Sequence, residues 1–137
     1  MSIAEKIKGS EKLTAVFGEW PSFHDAEVLT FALDRNGPTI RVAIDVFAMT
    51  AEVDPQGYYV LKNRSISTLR FDGVEDFSAN GFNHQNVLFD VLIEDISDRQ
   101  LESAKFDVTF EDSHGLEAYF LCEAIEVESV IPTEPQS

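Results

Sequence analysis

The sequence predicts an α+β fold that is mostly β: an antiparallel meander sheet of about six strands with a short N-terminal helix. From Glu27 onward, apolar and polar residues alternate with a period of two, and short polar turns separate the alternating runs. Helix-like spacing occurs only in the first 17 residues. Short turns join antiparallel neighbours, so a meander is favoured over βαβ units. A flattened barrel and a two-sheet sandwich are the alternatives.

The N-terminal helix is predicted from about Glu11 to Phe17, where Leu13, Val16 and Phe17 are spaced for one apolar face. Ser10 stands where an N-cap is expected and Gly18 where a C-terminal cap often falls.

The first two strands form the most clearly predicted feature, a hairpin around Asn36-Gly37. Alternating runs lie on both sides of this pair, at 27–33 and 40–47. Further strands are predicted at 65–72, 87–94 and 106–110, and one long or bulged last strand at 116–130. The stretches 50–63 and 73–86 are polar or without a period, and are predicted as loops.

Length and composition predict one domain, 1–131, followed by a flexible tail, 132–137. The lone Cys122 cannot form an internal disulfide, and a buried, inert thiol is expected there. The N-terminus lacks the apolar segment of a secretory signal, and no run is long enough for a membrane span. The expected location is therefore the cytoplasm.

The formal charge of −15 is distributed unevenly. Residues 1–89 contain 12 acids and 8 bases, whereas residues 90–137 contain 13 acids and 2 bases. Such a charge disfavours nucleic acid and anionic membranes as partners, because phosphate binding depends on Lys and Arg. Two interpretations stay open: a solvated face that maintains solubility, or a docking surface for a positively charged protein.

The stretch from Trp20 to Val28 combines an aromatic pair, a proline, a histidine and two carboxylates. In an extended chain Asp25 and Glu27 would share one face and His24 the other. A metal site would then need both carboxylates, or His24 with a distant ligand such as His84 or His114. Ordering of the incoming loop, contact with a partner, and catalysis or metal binding are the three interpretations of this cluster.

The same stretch, Trp20-Pro21-Ser22-Phe23-His24-Asp25-Ala26-Glu27-Val28, resembles the signature of the immunity protein 50 family of bacterial polymorphic-toxin systems. Its signature residues correspond to Trp20, Phe23, His24, Asp25 and Glu27. Less specific similarity occurs at 69–74 and at 81–90. The resemblance implies a mostly β, non-enzymatic protein without cofactor or metal, which binds and neutralises a cognate toxin.

Many such toxins are nucleases with basic clefts, which an acidic surface could occupy in place of nucleic acid. The partner-binding surface is therefore expected in the acidic C-terminal half, together with two tyrosines of a predicted loop. Its candidate residues are Asp107, Glu111, Asp112, Glu117, Glu126, Glu128, Tyr58 and Tyr59.

Two other hypotheses come from the residues themselves. One is a small metal- or ligand-binding domain, or an enzyme, that uses His24, Asp25 and Glu27. The other is a structural module that oligomerises through an exposed strand edge near Cys122 and the long last strand.

Overall fold

A computed structural model describes residues 3–133 of the chain, without the side chains of 49–51 and 59–62. It contains one α-helix, eight strands and two short 3₁₀ turns, Ile3–Lys6 and Ser97–Arg99. The helix and strands are α1 Glu11–Phe17, β1 Glu27–Asp34, β2 Thr39–Val53, β3 Tyr59–Asp72, β4 Glu75–Asn80, β5 Val87–Asp95, β6 Phe106–His114, β7 Glu117–Cys122 and β8 Ala124–Pro132.

The predicted helix is confirmed from Glu11 to Phe17. Gly18 ends it in the left-handed conformation, at φ 80°, and its N–H donates to the carbonyl oxygen of Thr14 at 2.8 Å. Ser10 occupies the N-cap position as expected, but it has helical backbone angles and its side chain makes no capping hydrogen bond.

The strands form one antiparallel sheet in the order β4-β7-β6-β5-β1-β2-β3-β8. The prediction of a single antiparallel sheet is confirmed, but the sheet has eight strands, not about six. Strands that follow each other in the chain are neighbours in the sheet only within β1-β2-β3 and within β5-β6-β7. β8 returns to pair with β3, and β4 pairs with β7. We call the two groups the first half-sheet (β1, β2, β3, β8) and the second half-sheet (β5, β6, β7, β4).

Three predicted boundaries were wrong, each for a physical reason. β4 lies within the predicted loop 73–86. The sequence did not reveal this strand, because all its residues are exposed and no apolar alternation marks it. β2 and β3 continue through most of the predicted loop 50–63, leaving a turn at 54–58. The predicted last strand divides at Glu123 into β7 and β8, which pair with different partners.

The two half-sheets fold toward each other around an aromatic core. Five strand spacings separate β3 from β7, which is roughly 24 Å in a flat sheet. The rings of Phe71 in β3 and Phe120 in β7 nevertheless lie 5.0 Å apart, and Phe110 in β6 contacts both. The sheet is therefore strongly curved, and its inner face forms the core.

The edge strand β8 is partly covered by the segment before the helix. The N–H of Lys8 donates to the carbonyl oxygen of Ile125 at 3.0 Å, and the N–H of Val127 donates to that of Lys8 at 2.8 Å. Gly9 allows this approach, since a β-carbon there would lie 2.5 Å from the oxygen of Val127. Pro132 belongs to β8, and the N–H of Thr133 donates to Arg64. The other residues of the expected tail, 134–137, lie outside the described part.

Among the described residues, no helix is long and apolar enough to cross a membrane.

Candidate partner-binding surface

The signature segment lies at the junction of the two half-sheets. β1 and β5 are partners only at Glu27 and Val87, and backbone hydrogen bonds on either side extend this contact. The N–H of Asp25 donates to Leu88 at 2.9 Å, and the N–H of Leu88 donates to Ala26 at 2.8 Å. The signature segment therefore connects the two halves of the sheet.

His24 and Asp25 occupy a turn, so the side-chain alternation expected for an extended chain does not hold there. Asp25 has φ 67°, which reverses the backbone before β1 begins at Glu27. His24 Nδ1 lies 3.0 Å from the carbonyl oxygen of Phe89, and therefore donates to it. His24 Nε2 is 3.7 Å from a carboxylate oxygen of Asp25. His24 and Asp25 are thus side by side rather than on opposite faces.

The aromatic signature residues anchor the segment in the core. Phe23 is fully buried, and its ring meets that of the half-buried Trp20 edge to face at 5.9 Å. Burial of this pair provides hydrophobic stabilisation and fixes the path of the chain between α1 and β1.

The three polar signature residues do not form a metal-binding arrangement. Within residues 3–133, no group of three or more His, Cys, Asp or Glu side chains is placed to hold a metal ion. His24 and Asp25 instead border a cleft of about 420 Å³, whose apolar part comprises Phe17, Pro21, Phe47 and Ala48. This cleft lies beside the signature turn on the surface.

The six predicted acidic residues are divided between the two half-sheets. Glu126 and Glu128 lie on β8, whereas Asp107, Glu111 and Asp112 lie on β6 and Glu117 begins β7. Four strands, β5, β1, β2 and β3, separate β6 from β8 in the sheet order, so Glu126 and Glu128 are not sheet neighbours of the other four carboxylates.

The carboxylates of the first half-sheet are held by arginines. Arg70 donates to Glu126 at 2.6 Å, to Asp72 at 3.0 Å and to Glu128 at 3.1 Å, and Arg41 donates to Glu128 at 3.0 Å. The hydrogen bond to Asp72 is the main cause that raises the pKa of Arg70. Glu126 and Glu128 are therefore engaged within the protein.

Arg64 and Asp45 form a second ion pair on the same half-sheet. Arg64 donates to both carboxylate oxygens of Asp45, at 2.7 and 3.1 Å, and these hydrogen bonds raise the pKa of Arg64. Such two-point contacts are the stronger kind of ion pair.

On the outer face of β5, β6 and β7, the carboxylates have few basic side chains beside them. Asp90 lies directly opposite Glu111, and Glu94 directly opposite Asp107, as cross-strand partners. We define the acidic face as the outward carboxylates Asp90, Glu94, Asp107, Glu111 and Glu117, together with the exposed Asp112 near the end of β6. In the described part of the chain, its one ion pair joins Glu94 to Arg99 at 3.7 Å, with both side chains largely exposed.

Hydrogen bonds from neutral side chains restrain two further carboxylates of the acidic face. The Tyr119 hydroxyl donates to Asp107 at 2.9 Å, which raises the pKa of Tyr119. Asn80 donates to Glu117 at 2.7 Å. Neither contact compensates the negative charge.

A shallow groove of about 410 Å³ runs across one end of the acidic face. We call it the acidic groove. Its walls come from β4, β6 and β7 and include three of the predicted residues, Glu111, Asp112 and Glu117. Exposed Tyr119 lies beside them and offers a ring next to the carboxylates. A long basic side chain fits this combination of charge and apolar surface.

The other predicted positions lie away from the acidic face or outside the described side chains. Tyr58 is 71% exposed in the β2–β3 turn of the first half-sheet. The side chain of Tyr59 is among those not described. Cys122 is buried as expected, and burial raises the pKa of its thiol to about 12. It lies in β7, which pairs with β4 and β6, and not at a sheet edge.

Two residues with important contacts were not identified from the sequence. Asn86 is buried, and its side chain bonds the backbone of Asn83 and accepts from the N–H of Leu116. Phe89 is exposed at a bulge of β5. An asparagine in a predicted loop and an aromatic in an alternating strand carry no distinctive signal. The role of Asn86 depends on the approach of Leu116, and that of Phe89 on how β1 meets β5.

The fold and the charge distribution define a small β-sheet protein with an aromatic core, one charge-compensated half-sheet and one acidic face. The sequence matches the family model of Immunity protein 50 over residues 9–133. The match spans nearly the whole chain, and the protein belongs to the immunity protein 50 family. Neither the curated proteins nor the solved structures contain a significant match.

Proposed function

We propose that this protein is a non-enzymatic immunity protein, which acts in the cytoplasm by binding a cognate bacterial toxin through its acidic face. Membership in the immunity protein 50 family supports a toxin as the partner. The acidic face supports a basic surface on that toxin, since complementary potentials accelerate association and disfavour wrong partners.

The observation that carries the proposal is the pairing of like charges on neighbouring strands. Carboxylates directly opposite each other destabilise a sheet. The face contains two such pairs, Asp90 with Glu111 and Glu94 with Asp107. The first half-sheet also has like-charged partners, Glu27 with Asp45 and Arg41 with Arg70. There the opposite charge lies alongside, because Arg64 binds Asp45 and Glu128 accepts from both Arg41 and Arg70. Among the described residues, Asp90, Glu111 and Asp107 have no such ion pair. Lys and Arg side chains of a partner would supply the missing positive charge.

This proposal narrows the set of partner-binding residues. Glu126 and Glu128 already bind arginines of the same chain, and a toxin would have to displace these contacts. Asp107, Glu111, Asp112 and Glu117 keep their role in the proposal, and Asp90 and Glu94 are added to them. A nuclease with a basic, phosphate-binding cleft is the toxin class that such a face suits best.

The first test is co-expression with the toxin domain encoded beside this gene, followed by affinity purification and a mass measurement. A stoichiometric complex that withstands gel filtration is the expected result. A toxin domain that elutes separately, with both proteins folded, would argue against the proposal.

The second test reverses the charge of the acidic groove in the triple variant Glu111→Lys, Asp112→Lys and Glu117→Lys. Its matched control is Glu11→Lys, Glu102→Lys and Glu123→Lys, three exposed acids outside the acidic face. Both variants have a formal charge of −9, so a difference between them reports position and not total charge.

We expect the groove variant to lose at least about 100-fold in affinity, and its remaining binding to depend less on salt. Equal affinities for the two triple variants would contradict binding through the acidic face.

The cleft beside His24 favours a second candidate function, the binding of a small ligand. Its volume lies in the range of ligand sites, and it joins an apolar wall to His24 and Asp25. A ligand retained through purification by the wild type and lost in His24→Ala, with unchanged thermal unfolding, would favour this function.

A further inference from the structure

We propose that Phe89 is the apolar anchor of the toxin interface, and that the signature residue His24 positions it there. The proposal rests on the proposed function and specifies the partner: a protein with an apolar socket for one aromatic ring, surrounded by Lys or Arg side chains.

A β-bulge directs Phe89 out of the sheet. Leu88 and Asp112 are partners across β5 and β6, and the next partners are Asp90 and Glu111, which leaves Phe89 without a partner on β6. Bulges redirect side chains in this way. Leu88 is fully buried, whereas Phe89 is 53% exposed and points away from the core.

The signature turn holds Phe89 from the other side. His24 Nδ1–H donates to the carbonyl oxygen of Phe89 at 3.0 Å. The two rings meet edge to face, with centroids 5.2 Å apart at 90°. The N–H of Asp25 donates to Leu88, the residue before Phe89. Backbone and ring of Phe89 are thus both fixed before any partner arrives, which limits the entropy lost on binding.

The surroundings of Phe89 indicate the chemistry of its partner. The next residue, Asp90, belongs to the acidic face and lies opposite Glu111. Asp25 adds a carboxylate beside His24, at 3.7 Å from its Nε2. An exposed aromatic ring at the border of an acidic face matches the anatomy of an interface hot spot, in which a desolvated aromatic is surrounded by polar residues. The complementary site on the toxin must then be apolar at its centre and basic at its margin.

The signature segment then has two connected roles. Phe23 and Trp20 attach the segment to the core, and His24 extends from it to hold Phe89 at the surface. His24 is therefore a positioning residue that acts through Phe89, and it needs no contact of its own with the toxin.

The decisive experiment measures binding of the toxin domain encoded beside this gene to Phe89→Ala, by titration calorimetry at several salt concentrations. The expected result is a Kd raised about 30-fold or more. The salt dependence should match that of the wild type, since no charge is removed. Leu29→Ala is the matched control, because Leu29 is also exposed at a bulge, in β1, and is expected to bind normally.

A double-mutant cycle tests the role of His24. His24→Ala should weaken binding in the wild-type background and add little in the Phe89→Ala background, because both changes remove the same contact. His24→Asn should restore part of the affinity, since its amide can still donate to the carbonyl of Phe89. Equal losses from His24→Ala in both backgrounds would overturn the positioning role.

The possible failures can be distinguished. If the wild type binds and Phe89→Ala binds equally well, the anchor is wrong while the acidic face still stands as the binding surface. If the wild type forms no complex, the proposed function fails and the anchor fails with it.

Discussion

Both half-sheets carry carboxylates on their outer faces, but they differ in how many of these carboxylates form ion pairs with arginines. On the first half-sheet, Arg41, Arg64 and Arg70 form ion pairs with four carboxylates. Carboxylates lie opposite each other on both half-sheets, as Glu27 with Asp45 and Asp90 with Glu111, but in the described part of the chain no arginine binds Asp90 or Glu111. The difference shows that total charge does not locate a binding surface. What distinguishes a candidate interface is negative charge that the protein leaves uncompensated.

The largest effect is expected at Asn86, whose side chain ties the loop before β5 to the turn between β6 and β7. Asn86→Ala removes three hydrogen bonds and leaves the buried N–H of Leu116 without its acceptor. Gly115 packs on the same side chain, since a β-carbon there would lie 2.8 Å from Asn86 Oδ1. We expect a loss of about 3 kcal/mol in the free energy of unfolding, measured in urea.

The control for Asn86→Ala is Asn80→Ala, which removes one exposed hydrogen bond to Glu117. We expect a change below about 0.5 kcal/mol. Similar losses in both variants would show that the buried hydrogen bonds of Asn86 do not hold these two turns of the second half-sheet together.

The next largest effect is the loss of stability when an arginine is removed, which should differ between the two half-sheets. Arg70→Met leaves Asp72, Glu126 and Glu128 without their shared partner, and we expect a loss of about 2 kcal/mol. Arg99→Met on the second half-sheet removes one long, exposed contact and should cost less than about 0.5 kcal/mol. A larger loss of stability for Arg99→Met than for Arg70→Met would contradict the expected difference between the two half-sheets.

Removing single negative charges should change stability in opposite directions. Glu111→Gln relieves repulsion with Asp90 and should stabilise by about 0.5 kcal/mol at low salt. Glu126→Gln weakens the contact with Arg70 and should destabilise by a similar amount. Urea unfolding at 20 mM and 500 mM salt, taken as roughly low and high screening, measures both changes. The same sign for both variants would refute the idea of two differently charged faces.

The smallest effect concerns the ion pair between Lys6 and Asp95, which links the N-terminal segment to the end of β5. The Lys6 ammonium holds the pKa of Asp95 well below its ordinary value of 3.8. A carboxylate with a lowered pKa stabilises the fold above its ordinary pKa, and the contribution disappears as the pH falls.

Wild type and Asp95→Asn should therefore differ in thermal unfolding at about pH 6, above the ordinary pKa, and the difference should become smaller as the pH is lowered to about 2. Asp98→Asn, an exposed neighbour in the turn Ser97–Arg99, serves as the control. A difference that grows on acidification would have the wrong sign for this ion pair.

The sequence predicted local structure better than it predicted the way the strands assemble. The helix and the first hairpin follow from spacing and turn residues within a few positions, and both are confirmed. β4 was missed because an exposed edge strand has no apolar alternation to detect. The division at Glu123 was missed because β7 and β8 alternate in the same way, although they pair with different strands.

The same limit applies to the candidate surface. Composition located the excess of acids in residues 90–137, but it could not separate Glu126 from Glu111. That distinction depends on Arg70, which lies 56 residues before Glu126 and reaches it only through the pairing of β3 with β8. Likewise, the signature showed that His24 is unusual, but its contact with Phe89 depends on the junction of β1 and β5.

The coverage of β8 by Lys8 has a consequence for self-association. Growth of a fibre by strand addition needs two open edges on each molecule, one to receive the next copy and one to be received. Lys8 occupies backbone groups on β8, and the Lys12 ammonium donates to the carbonyl oxygen of Glu128 on the same strand. β4, at the other edge of the sheet, is a six-residue strand with a bulge and two acids. Both outermost strands are therefore poor templates for a strand of a second copy, which disfavours growth by strand addition at these two edges.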